Sequence, residues 1–392
     1  MRICYLHYLY DEPLALLHVE QFAAAARELG HDVTVHAMNL AHSIAAAGNG
    51  SGTTVRDRLK QHLSRYLHEP KELLWNPRYL WRELALVRRE KPDVLLVRDH
   101  LFTFAELGVR ALSGVPLVYE LNSPAFESHT YFDQYAHIPG VGPWTERLKM
   151  RRADAVVVVS RALRRYLIET QGVAAERVLS NPNGADCERF RPDIDPQRVR
   201  QRHGLGRRPV IGMVTSMKPW HGPELTRALV ERLYALDIDL LFVGGGPGWD
   251  AFRNWAQQRG LNDRITITGS IAHQDVPEHV AAMDVALMSE SNVYGSPLKI
   301  IEYMAAGRAI VAPRYEPIEE VIVHEQHGLL FARRDVDEAA RCIRRLLEDA
   351  DLRRRLGQQA RARAESELSW RHNAERVLGA CRDAIARRKG ER

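Results

Sequence analysis

Cysteine is scarce in this 392-residue chain: Cys4, Cys187, Cys342 and Cys381, with no CxxC pair. That excludes a disulfide scaffold, argues against zinc ribbons and suits a reducing cytosol. Long apolar runs are also missing. No stretch approaches the roughly 20 residues that span a bilayer. Residues 1–9 hold too short an apolar core for a secretory leader before Asp11 and Glu12 intervene, so a cytoplasmic protein is expected. Lysine is the third scarcity. Of 55 basic residues only seven are lysine: Lys60, Lys71, Lys91, Lys149, Lys218, Lys299 and Lys389. In an arginine-dominated chain, a lysine in a Gly/Pro-rich turn is a candidate for chemistry, and Lys218 and Lys299 both occupy such turns. The net charge of +5 fits anionic small substrates, membrane surfaces or nucleic acid equally. No nucleic-acid motif accompanies it, so a nucleic-acid partner is not expected.

What is present points to a two-domain α/β protein. Hydrophobic residues make up 45% and charged residues 27%, the balance of a folded globular chain with room for two or three domains. Apolar runs at 2–6, 32–36, 92–97, 116–120 and 155–160 alternate with helical patterns. Runs apolar on both faces mark strands of a covered parallel sheet. The second half repeats the plan, with strands expected at 210–214, 240–243, 265–267, 285–288 and 309–311 and helices between them, including 224–235 and 298–306. Two doubly wound sheets follow, facing each other across a cleft, with ligands expected at loops beyond the strand ends. Proline and glycine concentrate at 189–208. We therefore expect an N-terminal domain at 1–188, a C-terminal domain at 189–370 and a last helix at 371–392 that packs back on the first domain. An insertion at about 53–91 carries Lys71, Arg78, Arg82, Arg88 and Arg89 beside Trp75, Leu80 and Trp81. It reads either as a solvated helical excursion or as a peripheral contact with the inner face of an anionic membrane.

The stretch richest in chemistry is Glu290-Ser291-Asn292-Val293-Tyr294-Gly295-Ser296-Pro297-Leu298-Lys299-Ile300-Ile301-Glu302-Tyr303-Met304-Ala305-Ala306-Gly307. A strand ends near Ser289, and a Gly-Ser-Pro turn leads into a helix with Pro297 near its first turn. Free amides and the positive end of the helix dipole form a phosphate receptor, to which Lys299 adds a full charge. Glu302, at i+3 from Lys299, is placed to accept hydrogen bonds from sugar hydroxyls.

This stretch resembles the nucleotide-binding signature of family-4 retaining glycosyltransferases, which have the GT-B fold. Further matches come in order. Residues 153–160 resemble the family's strand before the interdomain region. Asn181-Pro182-Asn183-Gly184-Ala185-Asp186 and Phe190-Arg191-Pro192 resemble its linker. Lys218-Pro219-Trp220-His221-Gly222 is similar to its first donor-phosphate loop. Val243-Gly244-Gly245-Gly246-Pro247, followed by Gly269-Ser270-Ile271, is similar to its base-binding region. The resemblance runs over about 1–375 and is most specific over 153–331. It implies transfer of a sugar from a nucleoside diphosphate sugar, UDP favoured over GDP, to an acceptor hydroxyl with retention. No metal or other cofactor is implied. The acceptor would be a small molecule or lipid-linked.

Carried over by position, Lys218 and Lys299 would hold the diphosphate and act in catalysis. Ser216, His221, Gly222, Gly245, Tyr294, Gly295, Ser296, Pro297 and Leu298 would line the donor site. Glu302 would hold the ribose, Ile271 would meet the base through its backbone, and His18 would serve the acceptor. The DxD strings Asp193-Ile194-Asp195, Asp237-Ile238-Asp239 and Asp335-Val336-Asp337 read as a linker, a strand lead-in and a helix start.

The chain also departs from the family pattern. Tyr294 stands where a glutamate is common, with Glu290 nearby but out of register. Pro13-Leu14 replaces a Gly-Gly pair. Asn122 stands where many members have a histidine, and Glu120 shares its strand face, so either is a candidate for the sugar contact and for catalysis. A non-catalytic nucleotide-sugar binder is the alternative these departures leave open. A dinucleotide oxidoreductase is disfavoured. Residues 6–20 hold no glycine, and Trp249 stands where G-x-G-x-x-G needs its last one.

Overall fold

The computed structural model of the chain describes residues 1–8, 13–38, 55–124, 138, 140–218 and 221–390, with 13–15 and 55–68 described through their backbone alone. Pro219 and Trp220 of the expected phosphate loop lie outside these residues.

Strands β1 (Arg2–His7), β2 (Asp32–Ala37), β3 (Val94–Arg98), β4 (Leu117–Leu121), β5 (Ala155–Val158) and β6 (Val178–Ser180) form one sheet in the order β2-β1-β3-β4-β5-β6. Strands β7 (Val210–Val214), β8 (Asp239–Val243), β9 (Ile265–Ile267), β10 (Val285–Leu287), β11 (Ala309–Pro313) and β12 (Leu329–Phe331) form the second, in the order β12-β11-β10-β7-β8-β9. Their ladders are parallel. From its other edge, the second sheet runs third, second, first, fourth, fifth, sixth strand of its unit, the doubly wound order of mononucleotide-binding sheets.

Continuous apolar strands result because both faces are covered. In β8, Leu240 and Phe242 enter one buried layer and Leu241 and Val243 the other. Each such side chain contributes about 1.5–3 kcal/mol when fully buried. Strands β6 and β12 go beyond the sequence reading. Each is three residues long and is defined by its pairing with β5 or β11.

The chain divides into two compact units, 1–181 with 373–392, and 182–372. The division falls ahead of the expected 188–189 because the linker motif is bonded into the second unit. There Asn183 N–H donates to Ser296 Oγ (3.1 Å) and Ala185 N–H to Leu368 O (2.8 Å). Residues 373–392 belong to the first unit. Asn181 Nδ2 donates to Asn373 O (3.2 Å), and Arg376 Nε donates to Asn181 Oδ1 (2.6 Å).

Candidate functional site

In the second unit the strand order reverses between β7 and β10, so the loops leaving their carboxyl ends border a crevice where ligands of such sheets bind. Lys218 lies on the first of these loops, and Lys299 on the helix that follows the second. After β7, Met217 takes φ 50°, a left-handed conformation that costs a non-glycine residue about 1–3 kcal/mol and is kept at functional loops. The buried Trp249 Nε1–H donates to Thr215 O (2.7 Å) and pins the start of this loop. His221 N–H donates to Lys218 O (2.8 Å) and Lys218 N–H to His221 Nδ1 (3.3 Å), closing its tip.

Gly222 follows at φ 65°, and a Cβ there would stand 2.6 Å from Glu290 Cβ. Glycine thus lets the loop after β7 close on the chain leaving β10. Ser289 Oγ–H donates to His221 O (3.2 Å) across the same junction. Glu290 braces it from below. Its Oε1 accepts from Tyr315 O–H (2.5 Å) and Ser291 N–H (3.0 Å), and Arg334 Nε lies 3.3 Å from its Oε2.

Asn292 Oδ1 collects the N–H groups of Tyr294 (3.0 Å) and Gly295 (2.5 Å), shaping the turn before the helix Leu298–Ala305. Pro297 precedes that helix and has no N–H to offer. Leu298 N–H turns onto Ser296 O (3.0 Å), and Ile300 N–H bonds Pro297 O (2.9 Å). Of the amides expected to hold an anion between 296 and 299, these bonds leave those of Ser296 and Lys299. Tyr303 fixes the helix to the sheet, its hydroxyl accepting from Val214 N–H (2.8 Å).

Lys299 is half-buried. Loss of hydration lowers its pKa to about 8, against the pull of Glu302. Burial, with Lys299 and then Lys218 nearby, holds His221 down to about 3, so its ring is neutral at pH 7. Two lysines, one on the loop after β7 and one on the helix after β10, thus act on one imidazole. An anion placed among them would restore the charged form of Lys299 that desolvation disfavours.

Glu302 is buried one turn further on, its Oε1 3.1 Å from His273 Nε2. Arg189 in turn donates to His273 O (3.1 Å). The sequence reading did not include His273 or Arg189; the available signal was the position of His273 two residues past Ile271. The glycine-rich loop after β8 forms a further wall. A Cβ on Gly245 would meet Ser270 N and Oγ at 2.6 Å, so that loop lies directly on the one carrying Ile271. Ile271 itself is half-buried against the core.

In the first unit, Glu120, Asn122 and His18 gather at the carboxyl end of β4. Glu120 is buried. One oxygen meets His18 Nε2, the other accepts from Tyr5 O–H, and the Arg98 guanidinium lies 3.8 Å away. Arg98 also donates to Asn122 Oδ1 (2.7 Å). Burial alone would raise the Glu120 pKa, but His18, then Arg98 and Tyr5, bring it to about 2. Both oxygens are engaged inside the fold. Glu120, one of the two candidates for the sugar contact, is thus also a buried anchor for His18.

Two family models match the chain: "Glycosyltransferase Family 4" over residues 17–189 and "Glycosyl transferases group 1" over 195–363. The chain belongs to glycosyltransferase family 4. It is 31% identical over 226 residues to the GDP-mannose-dependent alpha-(1-6)-phosphatidylinositol monomannoside mannosyltransferase of Mycobacterium tuberculosis (strain CDC 1551 / Oshkosh). That match covers 55% of this chain and 58% of the relative, less than two thirds of the relative's length. It is 27% identical over 278 residues to the alpha-D-kanosaminyltransferase of Streptomyces kanamyceticus, covering 69% and 71% of the two chains. A solved glycosyltransferase from Rickettsia africae ESF-5 superposes with a TM-score of 0.75 at 15% identity over 98% of this chain and 99% of that one, and the shared fold is GT-B.

Among family-4 patterns, the glutamate position eight residues before Glu302 is Tyr294, half-buried beside the Asn292 turn. The DxD acids each have a partner within the second unit. Asp195 Oδ1 accepts from Gln197 N–H (3.0 Å), and Asp193 lies 3.4 Å from Arg191. Asp237 and Asp239 share Arg208 at 2.7 and 3.4 Å. Asp335 caps the helix Val336–Glu348 by accepting from Glu338 N–H (2.8 Å), and Asp337 lies 3.2 Å from Arg232.

Proposed function

We propose that this family-4 chain transfers a sugar from a nucleoside diphosphate sugar to an acceptor hydroxyl, with retention at the anomeric carbon. Protein cations, rather than a metal, neutralise the diphosphate. One observation carries the reading: the loop after β7, which holds Lys218 and His221, closes through Gly222 and Ser289 on the chain leaving β10, and that chain runs into the helix of Lys299, with Glu302 one turn beyond. The diphosphate would lie against both ammonium groups, the Lys299 amide and the Ser296 hydroxyl. Ribose hydroxyls would donate to Glu302, and the base would sit beside Gly245 and Ile271. As the bond from the anomeric carbon to the phosphate oxygen breaks, negative charge grows on the leaving diphosphate. Lys218 and Lys299 stabilise that charge where it develops. The departing phosphate oxygen, on the same face, takes the acceptor proton as the new carbon–oxygen bond forms. No enzymic base is then required.

The donor is a uridine or guanosine diphosphate sugar; the mycobacterial relative, named for GDP-mannose, supports the guanosine case. The acceptor is a small molecule or a lipid-linked one. In the first unit, His18 anchored by Glu120 and Asn122 held by Arg98 are the polar groups offered to it.

A thermal-shift series with UDP, GDP and ADP tests the reading. A ligand that binds only the folded state raises the melting temperature. One of the first two should do so, and Lys299→Ala and Glu302→Ala should each weaken that nucleotide by about tenfold, the loss of a charge-assisted hydrogen bond. Unchanged affinity in both variants would overturn the site.

A further inference from the structure

Among the described residues, five of the exposed large hydrophobic side chains gather on three helices of the first unit. They are Leu74 (76% exposed) and Trp81 (72%) on Val55–Glu90, Leu112 (70%) near the end of Ala105–Ser113, and Ile138 and Trp144 (56%) just before and on Val141–Arg152. Single exposed apolar residues are ordinary, but a group of this size marks an interaction surface. The same three helices enclose an apolar groove of about 630 Å³, lined by Leu73, Pro77, Leu80, Leu107 and Leu148 with Arg152 among its walls. Leu74, Pro77 and Trp81 follow at helical spacing, so the exposed stripe runs beside the residues that line the groove.

The charges on these helices are sorted. From residue 69 onward, Glu69, Glu72 and Glu83 are buried, as are Glu106 and Glu146 on the other two helices. Glu90, which ends the long helix, is partly buried and lies 2.8 Å from Arg89 and 2.9 Å from His36. The exposed charges are Arg78, Arg88, Arg89, Arg147, Arg151 and Arg152. From residue 69 onward, the exposed apolar side chains of these helices are therefore accompanied by exposed charge of one sign.

We propose that this face docks on an anionic lipid bilayer. Trp81, Trp144, Leu74 and Leu112 would enter the headgroup level, where amphipathic aromatic rings are favoured. The arginines would meet lipid phosphates. A second copy of the chain fits the face poorly, because its own arginines would oppose themselves. Among the described residues no helix is long and apolar enough to cross a membrane, so docking here is superficial. The proposal does not rest on the donor site, and its readout is partition rather than transfer.

The test is sedimentation of the full chain with vesicles of phosphatidylcholine alone or of phosphatidylcholine with phosphatidylglycerol, at low and high salt. Binding is expected on the anionic vesicles at low salt and should be lost at high salt. Arg78→Gln and Arg88→Gln should each weaken partition by about fivefold. The triple variant Leu74→Ser, Trp81→Ser, Trp144→Ser should abolish it at an unchanged melting temperature. Wild-type protein that stays in the supernatant with anionic vesicles overturns the proposal. So does a folded triple variant that partitions like wild type, or a concentration-dependent dimer that the triple variant loses.

Discussion

His273 Nε2 stands 3.1 Å from Glu302 Oε1, and the carbonyl of the same histidine accepts a hydrogen bond from Arg189 at 3.1 Å. A residue between the two linker segments is thereby coupled, through the loop after β9, to the carboxylate assigned to the ribose.

His273 is thus a positioning residue. His273→Ala should weaken nucleoside diphosphate binding by about tenfold, the loss of a hydrogen bond to a charged group, and raise the donor KM while leaving kcat little changed. His273→Asn, which keeps a donor, should recover part of the loss. Because His273 acts through Glu302, the double variant with Glu302→Ala should bind no worse than Glu302→Ala alone. Calorimetric titration measures all four proteins, and a His273→Ala variant with wild-type affinity would remove the coupling.

The lowered pKa of Lys299, about 8, sets a pH dependence of definite sign. In the free protein the ammonium loses its proton as pH rises through about 8, whereas a bound diphosphate retains it. Affinity should therefore fall above that pH, by up to about tenfold per unit. Lys299→Met should bind weakly with a flat profile. Stability of the free protein moves the other way. Between about 8 and the ordinary lysine value of 10.5 the unfolded chain binds more protons, so folding gains as pH rises across that window. Isothermal titration and urea unfolding over the same pH series check the two signs together.

Glu83 lies fully buried, and Tyr8 O–H donates to its Oε1 at 2.5 Å. Burial, and then the neighbouring Glu106, raise its pKa well above the usual 4.5. The folded state therefore keeps a proton that the unfolded chain releases. This contribution is complete below the unfolded value and is lost as pH climbs toward the folded one, by about 1.4 kcal/mol per unit. Glu83→Gln, neutral at every pH and able to keep the Tyr8 bond, should unfold with a flatter pH dependence, its advantage over wild type widening from acid toward neutral. Parallel pH slopes for the two proteins would show that Glu83 is ionised in the fold.

By itself, the sequence determined most of the doubly wound plan. Strands buried on both faces must be continuously apolar, and such runs stand out between helical patterns, as 210–214 and 240–243 do. It also marked the Gly-Ser-Pro turn, Lys299 and Glu302, because a helix start aimed at an anion needs those residue types in one short stretch. Strands β6 and β12 were not read from the sequence, and their pairing with β5 and β11 is what makes them strands. The tertiary structure decided what distant residues do to one another. Glu120 is engaged by Tyr5, His18 and Arg98 from three other elements, His273 reaches Glu302 across 29 positions, and Glu69, Glu72, Glu83, Glu106 and Glu146 are buried while Arg78, Arg88 and Arg147 on the same helices are exposed. Local pattern records which groups a segment carries. Which of them are desolvated, paired or left to face solvent depends on neighbours that only the completed fold supplies.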